Sequence, residues 1–456
     1  MKRDRSVFLD DWLDSKPRKP LIIRGARQVG KTWLVRDFAK SSGLELIEIN
    51  FEKRPELESL FHSNDPKEII LNLKASTGAD LTPQKSLLFL DEIQAAPNLL
   101  AKLRWFAEEA SEYPVIAAGS LLEFTLAKHI FSMPVGRINY MHLEPLSFEE
   151  FLDANGEPNL KDYLQKYDWN KKIPEAIHMR LMKLVKEYMV VGGMPAAVSK
   201  WTETRDPDKV SQIQFDLLAT YRDDFSKYSG RLAVDRLEDV LSAVPRQLAG
   251  KFVYSKINSQ TSTTSLKQGL DLLSKARICY PVLSTAANGL PLGAETNEKY
   301  KKVLMIDCGL CSASLGLNMQ QLQSVAELIV VNNGGMAEQM VGQQLRTLLP
   351  PYVIPSLYYW QRAQKDSNAE IDYIIQHENQ VVPIEVKAGN SGTLKSLHLF
   401  MKEKKKKLAV RVNSDYPTMG PISIKDATQG SINYTLLSLP FYLIGQLHRL
   451  MNLKIG

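Results

Sequence analysis

Residues 25–32 read GARQVGKT, and two glycines, a lysine and a hydroxyl at this spacing can hold a polyphosphate. Gly25 and Gly30 let the backbone turn its N–H groups inward, Lys31 reaches the terminal phosphate oxygens, and Thr32 offers a hydroxyl to Mg²⁺. The expected nucleotide contacts are therefore Gly25, Ala26, Arg27, Gln28, Val29, Gly30, Lys31, Thr32 and Trp33. Further along, SLLFLDEI is an apolar run ending in an acidic pair. Asp91 suits the metal, through water, and Glu92 suits the orientation and polarisation of an attacking water. The run VIAAGS ends in Ser120, which is placed to sense a γ-phosphate, or more plainly to cap a helix. Arg137 follows Gly136 and could neutralise transition-state charge on its own or a neighbouring nucleotide, the second case implying a homo-oligomer; otherwise it is a surface ion pair. The chemistry such a set would serve is nucleotide binding and hydrolysis, with ATP and Mg²⁺ the expected cofactors.

A second set lies near the C-terminus, in AEIDYIIQHENQVVPIEVKAG. Residues two apart in a strand share a face, so Glu385 and Lys387 point to one side. If the two runs pair as a hairpin, Asp372 joins them in a D-x(12)-E-x-K arrangement, with Glu338 on the preceding helix as a further acid. Two or three carboxylates suit a divalent cation, and Lys387 would serve a hydrolytic water. The alternative is a solvated charged face, which the apolar surroundings of VVPIEVKAG disfavour.

These residues need elements to hold them. Up to residue 150, PLIIRGA, LELIEINFE, SLLFLDEI, PVIAAGS and RINYMHLEPL alternate with helical patterns, predicting a parallel sheet between helices, the α/β P-loop fold. Residues 151–230 place apolar side chains at three- and four-residue steps and predict a helical lid or linker. In 231–310, TSTTSLKQGLDLLSKA is followed by ICYPVLST, the turn AANG and LPLGAE, an order that suits a winged helix or a small α+β spacer. Residues 311–456 begin with the helix MAEQMVGQQLRTLL and continue as a mixed α/β region. The lysine run at 404–407, with Lys395, Lys402 and Arg411, could follow a phosphate backbone or simply solubilise the surface.

Length and composition set the limits. A chain of 456 residues exceeds one core and predicts several domains. A net charge of +6 permits nucleic acid without requiring it. Three cysteines, at 279, 308 and 311, argue against a disulfide scaffold and for a reducing compartment. MKRDRSVFLDDW lacks the apolar core of a signal peptide. LLSLPFYLIGQLHRLM is too interrupted to span a bilayer and reads as a terminal packing helix. A cytoplasmic protein without membrane contact is expected.

GARQVGKT, FLDE, AAGS, GRINYMHLEPLSFEEFL, the VGGMP turn and AEIDYII with VVPIEVKAG occur in that order, and the chain as a whole resembles prokaryotic AAA-type ATPases with a C-terminal DUF4143 domain. The resemblance implies an AAA+-like core, a winged-helix segment and a C-terminal domain similar to restriction-endonuclease-like PD-(D/E)xK nucleases. Lys31, Thr32, Asp91, Glu92, Asp372, Glu385 and Lys387 match its motifs. The expected function is an ATPase coupled to a nuclease-like module near DNA. The rivals are a nucleotide-dependent switch for a protein partner with an inactive nuclease fold, and a defence effector released by nucleotide state.

Overall fold

The computed structural model describes residues 1–128, 136–230, 232–317, 334–363, 368–387, 394–426 and 430–453. They form two compact units. The first is Met1–Pro145 with two short returns of the chain, Lys275–Arg277 and Leu349–Pro355; the second is the remainder.

In the first unit, β1 (Leu21–Arg24), β2 (Glu45–Asn50), β3 (Ser86–Asp91), β4 (Val115–Ala118) and β5 (Asn139–His142) make one sheet in the order β2-β3-β4-β1-β5. Every pairing is parallel. The five apolar runs of the sequence are these five strands, and β3 and β4 are buried at every position, as strands covered on both faces must be. The helices are α1 (Ser6–Asp14), α2 (Lys31–Ser41), α3 (Pro66–Thr77), α4 (Leu99–Glu109) and α5 (Leu122–Lys128). Ile69, Leu73, Leu99, Leu103 and Phe106 of α3 and α4 share a core with Ile47, Ile49, Leu88 and Leu90. Because β4 lies between β1 and β3, all parallel, three strand ends open at one edge of the sheet.

The second unit begins with helices α6 (Phe148–Ala154), α7 (Pro158–Lys166), α8 (Glu175–Val191), α9 (Pro195–Thr204), α10 (Pro207–Asp223), α11 (Phe225–Tyr228), α12 (Val234–Ala243) and α13 (Thr263–Lys275, its last residue falling in the first unit). Ser147 and Glu150 close a reciprocal capping box on α6. Then come β6 (Cys279–Thr285), β7 (Thr296–Met305), α14 (Cys308–Ser314), α15 (Gly335–Leu348), β8 (Leu357–Gln361), β9 (Glu370–His377), β10 (Gln380–Val386), α16 (Lys395–Lys404), β11 (Leu408–Asn413), β12 (Thr418–Asp426), β13 (Gly430–Pro440) and α17 (Leu447–Asn452). The eight strands form a mixed sheet, β12-β13-β11-β10-β9-β8-β6-β7. Leu397, Phe400 and Met401 of α16 pack with Trp360, Ile371, Ile374 and Ala409 on one face of it.

Two expectations change here. The hairpin assigned to a winged helix is an edge of this sheet: β6 pairs antiparallel with β7 and parallel with β8. LPLGAE contributes a 3₁₀ turn, Leu292–Glu295, and the second strand is the following TNEKYKKVLM. A largely buried β6 needs partners on both sides, which a free wing lacks. Likewise the stretch read as a terminal helix is half strand: LLSLP ends β13, which lies between β11 and β12, and only Leu447–Asn452 is α-helical.

The VGGMP turn is explained by close approach. Gly192 has φ +78°, and a Cβ there would lie 2.0 Å from Asp307 Oδ1. The Gly193 N–H donates to Asp307 Oδ2 at 2.6 Å, and its carbonyl accepts from Leu146 N at 2.7 Å. Asp307 also caps α14 by accepting from Leu310 N at 3.1 Å. All three cysteines are buried, and burial pushes the thiols of Cys279, Cys308 and Cys311 upward. A Cβ at Gly193 would meet the Leu146 carbonyl oxygen at 2.2 Å. Gly193→Ala is therefore expected to lower stability by roughly 1–3 kcal/mol, since backbone cannot yield cheaply. Denaturant midpoints measure this, and a midpoint equal to the wild type would refute the account.

Candidate functional site

The phosphate loop joins β1 to α2. Gln28 at φ +65° and Gly30 at φ +94° turn the chain, and α2 starts at Lys31, so its first N–H groups face the loop. Gly25 admits no side chain, because a Cβ would lie 2.5 Å from the Leu143 carbonyl oxygen. A residue far from the motif braces the loop. Arg3, buried, donates to the carbonyls of Val29 at 2.9 Å and Glu144 at 2.6 Å.

Lys31 folds back onto the loop: Nζ donates to the Ala26 carbonyl at 2.8 Å and the Gly25 carbonyl at 3.1 Å. Thr32 Oγ1 donates to Asp91 Oδ2 at 3.1 Å, and Asn50 Nδ2 donates to the same oxygen at 3.3 Å. Burial, with Glu92 adding to it, pushes the Asp91 carboxyl upward. A buried carboxylate beside a hydroxyl is a donor set for a hard cation, and it fits Mg²⁺ held by Thr32 and, through water, Asp91. The ion would neutralise charge on the phosphates there.

Glu92 stands just past β3 in the left-handed region, φ +50°, and accepts from Gln94 Nε2 at 2.6 Å. Gln94 is also what fills the space beside Gly119, where a Cβ would lie 2.3 Å from its Oε1. Ser120 follows β4, buried, and β4 runs between the strands of the loop and of Asp91. Trp33 is one of the few large apolar side chains left exposed.

Arg137 is not where a finger on its own nucleotide must be. In the β1–β5 pairing Asn139 lies opposite Leu21 and His142 opposite Arg24. Arg137, two residues before Asn139, therefore falls level with position 19, whereas the loop begins six residues further on at Gly25, about 20 Å away at ~3.3 Å per residue. Its Nε donates to Glu108 Oε1 at 2.7 Å, the bland alternative of an ion pair. Arg277 Nη2 donates to Glu123 Oε1 at 3.0 Å, and Glu123 is near enough to raise the proton affinity of Lys31. Burial, reinforced by Arg277, Arg24 and Arg5, holds His142 neutral, down to about 3.

The C-terminal residues do converge, around a residue the sequence reading missed. Tyr373 lies opposite Ile384, which carries Asp372 toward Glu385. Asp372 Oδ2 accepts from Val386 N at 2.8 Å, and Lys387 Nζ donates to Glu385 Oε1 at 2.6 Å. At the centre is Lys302 of β7. Its Nζ is 2.6 Å from Glu370 Oε1, 2.9 Å from Glu338 Oε2 and 3.2 Å from Asp372 Oδ1. Burial, with Asp372 adding to it, raises the Glu338 carboxyl; the same two causes raise that of Glu385. These residues do not fit a divalent ion, because an ammonium already stands among the carboxylates. Among the described residues no group of three or more His, Cys, Asp or Glu is arranged to hold a metal.

Residues 17–152 match the family described as AAA domain. This region is a P-loop AAA ATPase domain. Residues 182–321 and 333–434 match two domains of unknown function, DUF8612 and DUF4143. No curated protein matches the chain. Among solved structures, it is similar to the Walker-type ATPase paby2304 of Pyrococcus abyssi, at 15% identity over 69% of this chain and 95% of that one, TM-score 0.43. It is also similar to a signal transduction ATPase with a tetratricopeptide repeat sensor from Pyrococcus horikoshii, at 14% identity over 77% and 46%, TM-score 0.27. A third is the Pif1 helicase from Candida albicans, at 15% over 40% and 47%, TM-score 0.23. No helix among the described residues is long and apolar enough to cross a membrane.

Burial lowers the Lys31 ammonium to about 8, against the pull of Glu92, Asp91 and Glu123. A bound polyphosphate raises it again, so below pH 8 the cation is already present, and above it binding must take up a proton. Affinity for ATP is thus expected to be full below about pH 8 and to fall as pH rises past it. Calorimetry in buffers of different protonation heat should show proton uptake at about pH 9 and little near pH 7. Equal uptake at both would remove Lys31 as the titrating group.

Proposed function

We propose that the chain is a Mg²⁺-dependent ATPase that works as a nucleotide-controlled switch, with Glu92 activating the attacking water and Ser120 sensing the γ-phosphate. The observation that carries this reading is the trio of Lys31, Thr32 and Asp91. An ammonium rests on exchangeable carbonyls, and a hydroxyl rests on a buried carboxylate, both beside a helix N-terminus. Phosphate can take over the first interaction and a magnesium ion the second, with no rearrangement of the sheet.

In this proposal Arg277, rather than Arg137, is the arginine that serves the chain's own nucleotide. It is held by Glu123, whose charge already reaches Lys31. Arg137 is left a role only toward a neighbouring copy.

A switch acting on a protein partner is favoured over a DNA-tracking machine by the lysine run. Lys404 Nζ donates to Asn288 Oδ1 at 2.7 Å and Lys406 Nζ to the Asn288 carbonyl at 2.9 Å. Two of the four lysines thus hold the turn of the β6–β7 hairpin rather than standing clear for a phosphate backbone.

Glu92→Gln is expected to keep ATP binding and to lose hydrolysis by about a hundredfold or more, the scale of a positioned water activator. Arg277→Ala should lower turnover about tenfold or more at unchanged oligomeric state, whereas Arg137→Ala should leave single-chain turnover as it is. Phosphate release at saturating ATP measures all three. Wild-type rates in Glu92→Gln would sink the hydrolytic assignment, and loss of turnover in Arg137→Ala alone would transfer the arginine role back to it.

A further inference from the structure

The D-x(12)-E-x-K arrangement of Asp372, Glu385 and Lys387, with Glu338 from α15, is built from the residue types of a divalent metal site. We propose that the Lys302 ammonium stands permanently in the place of that metal, so the module neither takes up a divalent ion nor cleaves nucleic acid. The inference concerns the second unit alone and does not depend on the ATPase reading.

The argument begins with donor and acceptor numbers. An ammonium has three N–H donors and accepts nothing. Lys302 has three carboxylates around it, Glu370 at 2.6 Å, Glu338 at 2.9 Å and Asp372 at 3.2 Å. Its donors are therefore saturated by the very oxygens a metal would need. Lys302 is also closed in, with 3% of its side chain exposed. It projects from β7, held by pairing with β6, and Tyr373, which sits between the pairing positions of the cluster, donates to the Glu338 carbonyl at 2.7 Å. The cation cannot leave this position without giving up its three carboxylate contacts.

Charge and exchange point the same way. A divalent ion entering the cluster would leave Lys302 buried and without its counter-charges, the costliest arrangement for an ion pair. At the phosphate loop the ammonium rests on neutral carbonyls and exchanges readily; at Lys302 it rests on charges and does not. A second mark of a cation site survives beside it. Glu385 Oε2 is buried without a hydrogen-bond partner, while Oε1 is taken by Lys387. A metal site would use that oxygen, and here it lacks one.

Removing the ammonium should therefore open the site. In nucleotide-free full-length protein, titration with Mn²⁺ followed by electron paramagnetic resonance should show no site tighter than roughly 10⁻⁴ M in the wild type. Lys302→Met should melt at a lower temperature, bind one Mn²⁺ per chain and regain part of its lost melting temperature with it. Adding Asp372→Asn to Lys302→Met should abolish that binding. Should Lys302→Met not fold, Lys302→Arg keeps the charge and should still take no Mn²⁺. Tight Mn²⁺ binding by the wild type, lost in Asp372→Asn, would overturn the proposal, as would Mn²⁺-dependent plasmid nicking abolished by that substitution. A folded Lys302→Met that takes up no Mn²⁺ would equally show that Lys302 does not occupy a cation's place.

Discussion

Desolvation makes a buried ammonium tolerable only while oxygens surround it, and the kind of oxygen decides whether it can be released. Lys31 lies against two backbone carbonyls of its own loop. Carbonyls compensate weakly, which is why burial lowers its proton affinity, and they give way to any stronger anion. Lys302 lies against three carboxylates, whose charges raise its proton affinity well above the usual range in spite of burial. On the readings proposed above, the first contact gives way to phosphate and the second does not. Both follow from one rule applied to different neighbours.

What lets these neighbours meet is strand order. In the first unit, parallel strands place every C-terminal end on one edge, and the insertion of β4 between β1 and β3 sets Ser120 at the same edge as the phosphate loop and Asp91. The same order sends the start of β5, and Arg137 with it, to the other edge. In the second unit, antiparallel β9 and β10 set Asp372 against the Glu385 end of the hairpin, while α15 and β7 supply Glu338 and Lys302. Each position is a consequence of pairing direction, which the backbone fixes before any side chain chooses a partner.

This also explains what could be read from the sequence. The phosphate loop and the five strands are local: a motif within eight residues, and runs whose apolar character shows double-sided burial. The Asp372–Glu385–Lys387 face followed from two-residue periodicity and a short turn. Lys302 could not be read this way, because it is 70 residues from Asp372 and its own strand, NEKYKKVLM, looks like a solvated charged edge. The hairpin was mistaken for a wing because its partner β8 lies far along the chain, and β13 was hidden in a stretch whose leucines suit helix and buried strand alike. Arg3 and Arg277 carried no motif; only the fold brings them to the loop.

Arg277 links these observations. Glu92, Asp91 and Glu123 each raise the proton affinity of Lys31, and Arg277 pairs with Glu123. If Arg277 serves the nucleotide as proposed, an arriving triphosphate sets Glu123 and phosphate in competition for the same guanidinium. Arg277 belongs by its contacts to the first unit, yet the residue after it, Ile278, leads directly into β6 of the second.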